Sequence, residues 1–469
     1  MKAFVIFGPP GTGKTTEIIR RINETGEHHR TAFFSHTKAA ATEGKDRIGK
    51  GLRFASTIHS LAFRVLDLTR DQVVNIDKLK ELEMLTGVPI SGANPDMEDS
   101  QIEIGDEYIA LYDLSRARMI PYREFYFEYS DRPGMWPQYK MFVETYIKWK
   151  DKYGYIDFTD MLTNCLNVDI NIKSKHIYID EAQDLSPLQW AVIARIIEHC
   201  NPETVTISGD DDQAIFIWGG ADPAGMKLFQ SQYKAEPTIL SQTHRYGPNI
   251  RALAQSVIEV VKDRVPKEYK PQDKPDIIRN YGSLGPIIAE PMEVGTALLY
   301  RNHIIRKEIE NDLMLNGIAF TRAGGSRAPL ETLAGKACYA VAKLGKGEPI
   351  SRYDKSAIEK MVFPRFKNKP MGELIGLHPT KVINVPYYLS SYFQRIDWDH
   401  EPVLTVSSIH MSKGREWDRV ILVNGMGGRT YEAMGRDPDP EARAWYVAVT
   451  RARERLDIVD HNNPYPLPL

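Results

Sequence analysis

The chain of 469 residues is poor in several features that would otherwise define a class. It has three cysteines, Cys165, Cys200 and Cys338, set far apart with no Cys-x-x-Cys pair. That spacing excludes a disulfide framework and a cysteine-rich zinc site, and a reducing, cytoplasmic setting is expected. No apolar run approaches the length that spans a bilayer, so no membrane partner is expected. Met1-Lys2 leads straight into a strand-like run, which predicts the absence of a signal peptide. Charge of one sign is also missing. The formal net charge of −2 excludes a polycation that coats nucleic acid and confines any nucleic-acid site to a local groove. Internal repeats and low-complexity tracts are absent as well.

What is present is a real apolar core. Hydrophobic residues make up 42% of a chain long enough for two or more domains. Short apolar runs read as buried strands: TAFFS (31–35), HIYID (176–180), TVTISG (204–209), TALLYR (296–301), VLTVSSI (403–409) and RVILVNG (419–425). Helical stretches separate many of them, which predicts an α/β fold with parallel sheets. Two regions differ. Residues 66–150 hold 16 acidic and 10 basic residues, no comparable strand, and aromatics crowded between Tyr122 and Trp149. They read as a helical insertion whose aromatics form its own core rather than a base-stacking platform. From Lys343 to Lys381 nine Lys/Arg stand against four Asp/Glu. This second insertion, about 326–400, reads equally as a solvated surface or as a contact for duplex phosphates.

The stretch GPPGTGKTT (8–16) carries the first chemistry. It follows a β-like run and precedes Ile18, Ile19 and Ile22 at helical spacing, the context that GxxxxGK[ST] requires. Gly8, Pro9, Pro10, Gly11, Thr12 and Gly13 make a loop whose amides, with a helix N-terminus, can cradle phosphate; Thr16 closes it. Lys14 adds charge for the β- and γ-phosphates, and the Thr15 hydroxyl can join the oxygen shell of Mg2+. A nucleoside triphosphate is therefore expected.

Further along, HIYIDEAQDLSP ends a strand in Asp180-Glu181. Such an aspartate can hold Mg2+, and the adjacent glutamate can polarise the attacking water. Gln213, in GDDDQ, could sense a γ-phosphate, and Trp218 could stack on a base or serve as a core tryptophan. Arg245 follows another strand, and Arg451 is expected in the first half of a helix; two arginines could stabilise charge on one γ-phosphate.

Taken in order, these stretches resemble the UvrD/Rep/PcrA-type DNA helicases of superfamily 1. GPPGTGKT is similar to motif I, FFSHTKAAATEGKDRI to Ia, TIHSLAFRVL to Ib and YIDEAQDLSPLQ to II. GDDDQAIFIWGGAD is similar to motif III, LSQTHRYGPNI to IV, SSIHMSKGREWDRVIL to V and EARAWYVAVTRARERL to VI. DFTDML (157–162) resembles a segment just before motif II. The resemblance implies two RecA-like P-loop domains with parallel sheets, each carrying a mainly helical or mixed insertion, with ATP between them. The expected bounds are 1–65 plus 151–246 for the first, with insertion 66–150, and 247–325 plus 401–469 for the second, with insertion 326–400.

The resemblance also implies roles. Glu181, Lys14, Gln213, Arg245 and Arg451 would be catalytic, with Asp180 and Thr15 on Mg2+. His244 would stack on adenine, where relatives often have tyrosine, and Glu416 would contact the ribose. Ser35, Thr57, His59, Trp218 and His410 would line the track for single-stranded DNA. The implied activity is an ATP-dependent helicase moving 3′→5′ on single strands, with single-strand/duplex junctions as substrate, a monomeric state and room for a protein loading partner. The alternative is a translocase that displaces proteins without strand separation. A nucleotide-gated binding module and a small-molecule kinase are readings of other classes; Glu181, Arg245 and Arg451 argue against the first, the second domain and Trp218 against the other.

Departures from the family pattern are also visible. Seven residues precede Gly8, so an adenine-reading glutamine motif is not expected upstream. Ser35 replaces an aromatic in motif Ia, Gly219 stands where many relatives have arginine, and the second insertion is shorter than in the large bacterial members.

Overall fold

The computed structural model describes residues 1–49, 51–92, 102–130, 132–326, 328–398, 401–460 and 465. The chain divides into two units, Met1–Arg245 with Val261–Gln272, and Tyr246–Val260 with Asp273–Leu469. The short segment Val261–Gln272 thus belongs to the first unit, although it lies within the stretch expected to form the second domain.

The first unit is built on a parallel sheet of β1 (Lys2–Phe7), β2 (Thr31–Ser35), β3 (Phe54–Ser56), β4 (His176–Asp180), β5 (Thr204–Gly209) and β6 (Glu236–Ile239). Its strand order is β3-β2-β4-β5-β1-β6. The central strands are continuous apolar runs because helices cover both faces. Every residue of β2 and of β4 is buried. β6 is mostly exposed and carries Pro237, which removes a ladder donor and suits an edge position. Phe7 pairs with Gly209 and Ser35 with Asp180, so β1, β5, β4 and β2 finish together. In such sheets ligands bind outside the carboxyl ends of the strands.

The expected first insertion is helical, with Ile76–Thr86, Ile104–Ala117, Tyr122–Tyr129 and Trp136–Tyr153. Its aromatics do form their own core: Tyr108, Tyr126, Tyr139, Phe142, Tyr146 and Trp149 are buried together. The DFTDML stretch ties this insertion down. Asp157 caps the helix Phe158–Cys165, accepting from the Asp160 amide. Lys150 Nζ lies 2.5 Å from Asp157 Oδ2 and 2.5 Å from Asp160 Oδ2. Arg116 reaches the same two carboxylates at 2.7 and 2.5 Å. Burial pushes the Asp157 carboxyl towards neutrality, but Arg116 and Lys150 outweigh it and hold it below the usual carboxylate range.

The second unit repeats the plan with β7 (Ile277–Tyr281), β8 (Thr296–Tyr300), β9 (Phe320–Arg322), β10 (Leu404–Ser408), β11 (Trp417–Val423) and β12 (Ala452–Val459). All pairs are parallel, in the order β7-β12-β11-β8-β10-β9. Within 326–400, the helices Leu333–Gly345, Arg352–Met361 and Tyr387–Arg395 share a core that includes Cys338, Val341, Ile358 and Phe393. One expectation is corrected here. Arg451 is not in the first half of a helix: the helix Asp439–Val449 has ended, and Ala452 opens β12. β-branched and apolar residues at Leu456, Ile458 and Val459 pack into the sheet beside β11, and that pairing wins over helical propensity. Among the described residues no helix is long and apolar enough to cross a membrane.

Lys150 is almost wholly buried between two carboxylates. Lys150→Met is expected to destabilise the protein by about 3–5 kcal/mol, because it removes one partner from a buried ion network. Urea denaturation of the full chain checks this; a loss below about 1 kcal/mol would mean that Arg116 alone neutralises the pair.

Candidate functional site

The loop after β1 is shaped by backbone that only glycine adopts freely. Gly11 and Gly13 have φ of 75° and 81°. A Cβ on Gly11 would stand 2.6 Å from Arg245 Cβ and 2.6 Å from Thr243 Oγ1, so this glycine lets a second loop approach. Gly13 precedes the helix Lys14–Thr25, whose free amides face the loop. Pro9 and Pro10 are buried, and Thr12 Oγ1 donates to Pro9 O at 2.8 Å. Lys14 Nζ folds back to Gly8 O at 3.0 Å. Thr16 faces outward and accepts from Arg47 at 2.8 Å.

Asp180 ends β4 and is the hub of the acidic side. Its Oδ2 accepts from Thr15 Oγ1 at 2.7 Å, and its Oδ1 accepts from Ser208 Oγ at 2.5 Å and from the Glu181 amide at 3.0 Å. Burial, and then the neighbouring Glu181 charge, raise its pKa. Glu181 has φ of 55°, a left-handed conformation costly for a side chain that is not glycine. Gln183 Nε2 donates to Glu181 Oε2 at 2.5 Å and fixes its direction. Thr15 and Asp180 are hard oxygen donors held side by side, and a divalent cation such as Mg2+ fits that donor set. Another group with ligand spacing, Glu27, His176 and Glu203, is already served by Arg30 and Lys175.

The loop after β6 rests on the phosphate loop. Thr243 Oγ1 donates to Pro10 O at 2.7 Å and the His244 amide donates to Gly11 O at 2.9 Å. This places His244 and Arg245 directly beside Gly11. Gln213 is buried, and its Nε2 donates to Asp210 Oδ2 at 2.7 Å.

A second group in the same unit is aromatic. Trp218 is 42% exposed, which sets aside the reading of it as a core tryptophan. It meets Phe216 edge-on at 5.7 Å, and Phe216 stacks on His36 at 6.0 Å. His59 lies edge-on to Phe158 at 6.0 Å. Burial, and then the charge of nearby His36, depress the His59 pKa to about 4. Ser35 and Thr57 are buried; Thr57 caps the helix Ile58–Val65 by accepting from the Ser60 amide. Thr57 therefore holds backbone in place, the Ser35 hydroxyl is buried at the end of β2 without a hydrogen-bond partner among the described residues, and Trp218 presents the exposed face.

The second unit carries three expected residues. Arg451 is buried and donates to Val447 O at 2.9 Å, Arg415 O at 3.2 Å and Thr450 Oγ1 at 3.1 Å, so it satisfies a helix C-terminus. Glu416 accepts from Arg453. His410 is half-buried in the short helix Ile409–Ser412.

Sequence reasoning missed Ser208, Asp210, Thr243, His36 and Phe216. Ser208 and Asp210 flank the end of a recognised strand, which is the one signal that could have found them.

Comparison with known proteins gives a consistent picture. The UvrD/REP helicase N-terminal domain matches residues 1–234, and the UvrD-like helicase C-terminal domain matches residues 404–459. The chain is 26% identical over 327 residues to the ATP-dependent DNA helicase UvrD2 of Mycobacterium tuberculosis, covering 59% of this chain and 46% of the relative. It is 24% identical over 364 residues to the ATP-dependent DNA helicase PcrA of Bacillus subtilis, covering 68% and 48%. It is 24% identical over 298 residues to DNA helicase II of Escherichia coli, covering 56% and 39%. The chain thus spans less than half the length of these relatives.

The depressed His59 pKa gives a pH prediction with a definite sign. The unfolded chain binds a proton near the ordinary imidazole value, and the folded chain does so only near pH 4. His59 therefore supports stability above about pH 6.5 and withdraws it as pH falls through that window. The melting temperature of His59→Gln is expected to fall less than that of the parent between those limits; parallel curves would remove His59 from the acid response.

Proposed function

The chain belongs to the UvrD/REP helicase family, and from this premise we propose that it is an ATP-driven motor that moves 3′→5′ on single-stranded DNA and unwinds duplex ahead of it. The observation that carries the reading is the Thr15–Asp180 contact of 2.7 Å beside the glycine loop, with Glu181 aimed by Gln183. The loop amides and Lys14 would bind the triphosphate of ATP. Thr15 and Asp180 would hold Mg2+, which neutralises charge on the β- and γ-phosphate oxygens. Glu181 would take a proton from the attacking water, and Arg245, Gln213 and Arg451 would read the γ-phosphate. His244, exposed beside Gly11, would stack on the base, and Glu416 would contact the ribose. Trp218, with His36 and Phe216 behind it, supports a stacking platform that tolerates any base sequence. Ser35, Thr57, His59 and His410 would border that track. The polarity rests on the family resemblance.

Steady-state ATP hydrolysis with and without single-stranded DNA tests the reading, with single-stranded RNA and duplex as controls. Stimulation by single-stranded DNA is expected; turnover indifferent to every nucleic acid would overturn it. Lys14→Ala is expected to abolish turnover, and parental rates in that variant would dismiss the phosphate-loop assignment. Trp218→Ala is expected to weaken single-strand binding by about 1–3 kcal/mol in an anisotropy titration. Unchanged affinity would return Trp218 to a structural role.

A further inference from the structure

The segment Val261–Gln272 grips two loops of the first unit at once. At one end of it, Lys267 Nζ lies 3.0 Å from Asp210 Oδ1, 2.5 Å from Asp211 Oδ1 and 3.0 Å from Asp212 Oδ2. Arg264 donates to both oxygens of Asp212 at 2.8 and 2.6 Å, and the Val265 amide donates to Asp211 Oδ2 at 2.7 Å. All four groups around Lys267 Nζ, including its own side chain, are buried. The other oxygen of Asp210 holds the Gln213 amide nitrogen at 2.7 Å. At the other end, the Lys270 amide donates to Ser241 O at 2.8 Å and its carbonyl accepts from the Thr243 amide at 3.0 Å. Gln242 Nε2 donates to Pro271 O at 2.9 Å. Thr243 in turn bonds Pro10 of the phosphate loop and accepts from the Arg245 amide at 3.3 Å.

Short chains of bonds therefore run from this segment to Gln213 and to Arg245. Burial works against the Lys267 charge, yet the three aspartates more than offset it and keep it an ammonium. A buried ion cluster of this kind gains little stability over an apolar plug of similar volume. What it does fix is where each carboxylate points, and the carboxylate that matters is the one holding Gln213.

We propose that Val261–Gln272 is a positioning strap, in which Lys267 acts through Asp210 on Gln213, and Gln242 and Lys270 act through Thr243 on Arg245. The inference rests on the reading of Gln213 and Arg245 as γ-phosphate readers. The bonds described above lead to Asp210 and Thr243 rather than to Lys14, so the strap is expected to set the rate of hydrolysis rather than nucleotide affinity. The chain enters the strap from the second unit and leaves it to the second unit. Besides the direct Arg245–Tyr246 junction, the strap is thus a second covalent connection from the second unit to the bonds that hold both readers.

The test uses the full chain, measuring ATP turnover with single-stranded DNA and the affinity for a fluorescent ATP analogue. Lys267→Met and Gln242→Leu are each expected to lower kcat at least about tenfold while the nucleotide Kd stays within about twofold. Lys267→Arg is expected to recover most of the rate. In a Gln213→Ala background Lys267→Met should cost no more than about twofold further, and Gln242→Leu should behave likewise on Arg245→Ala. Losses that multiply in these backgrounds, or a Kd that weakens in step with kcat, would overturn the strap and leave a merely structural segment. If Lys267→Met does not fold, Gln242→Leu decides alone, because it leaves no buried charge behind. Absent turnover in the parent would overturn the functional reading itself and the strap with it. Parental turnover that both variants retain would overturn the strap only.

Discussion

The placement of one carboxylate organises the first unit. Asp180 stands at the end of β4, buried, with donors from three directions: Thr15 at the start of the helix after β1, Ser208 in β5 and the amide of Glu181. Those contacts can form only if β1, β4 and β5 end level, which the parallel register enforces. A burial that raises the carboxyl's pKa is tolerable because hydroxyls occupy its oxygens. The left-handed backbone of Glu181 follows from the same constraint, since the chain must turn sharply after Asp180 while its amide stays on the aspartate.

Buried charge recurs wherever distant parts of the chain are joined. Arg116 and Lys150 meet Asp157 and Asp160 where the helical insertion docks. Lys267 and Arg264 meet Asp210–Asp212. In the second unit Arg419 bonds Asp457 at 2.7 Å, across β11 and β12. Apolar contacts tolerate sliding, whereas a buried ammonium or guanidinium has few acceptable positions. Each network therefore acts as a register mark for one junction.

The motif-bearing strands and the phosphate loop were legible in the sequence because their signals are local: apolar runs ending in glycine, aspartate or serine. TAFFS, HIYID and TVTISG became β2, β4 and β5 with the same bounds. β3, β7 and β9 were not legible, being short or largely exposed, with no continuous apolar run. Arg451 was misplaced because AWYVAVTRARERL reads as one helix until the sheet partner of β12 is known. The exposure of Trp218 followed from tertiary packing that residue type alone does not report. The Lys267 cluster was invisible for a different reason. Its partners lie 55 or more residues away, and PKEYKPQ has the look of a solvated loop.

The path of the chain has a consequence for how such a protein can evolve. It passes from the first unit to the second after Arg245, back at Val261 and across again after Gln272. A recombination breakpoint near Arg245 would join residues 1–245 to a foreign second half and strand Asp210, Asp211 and Asp212 in the interior without Lys267. The two sheets look like interchangeable cassettes, yet they cannot be shuffled as such.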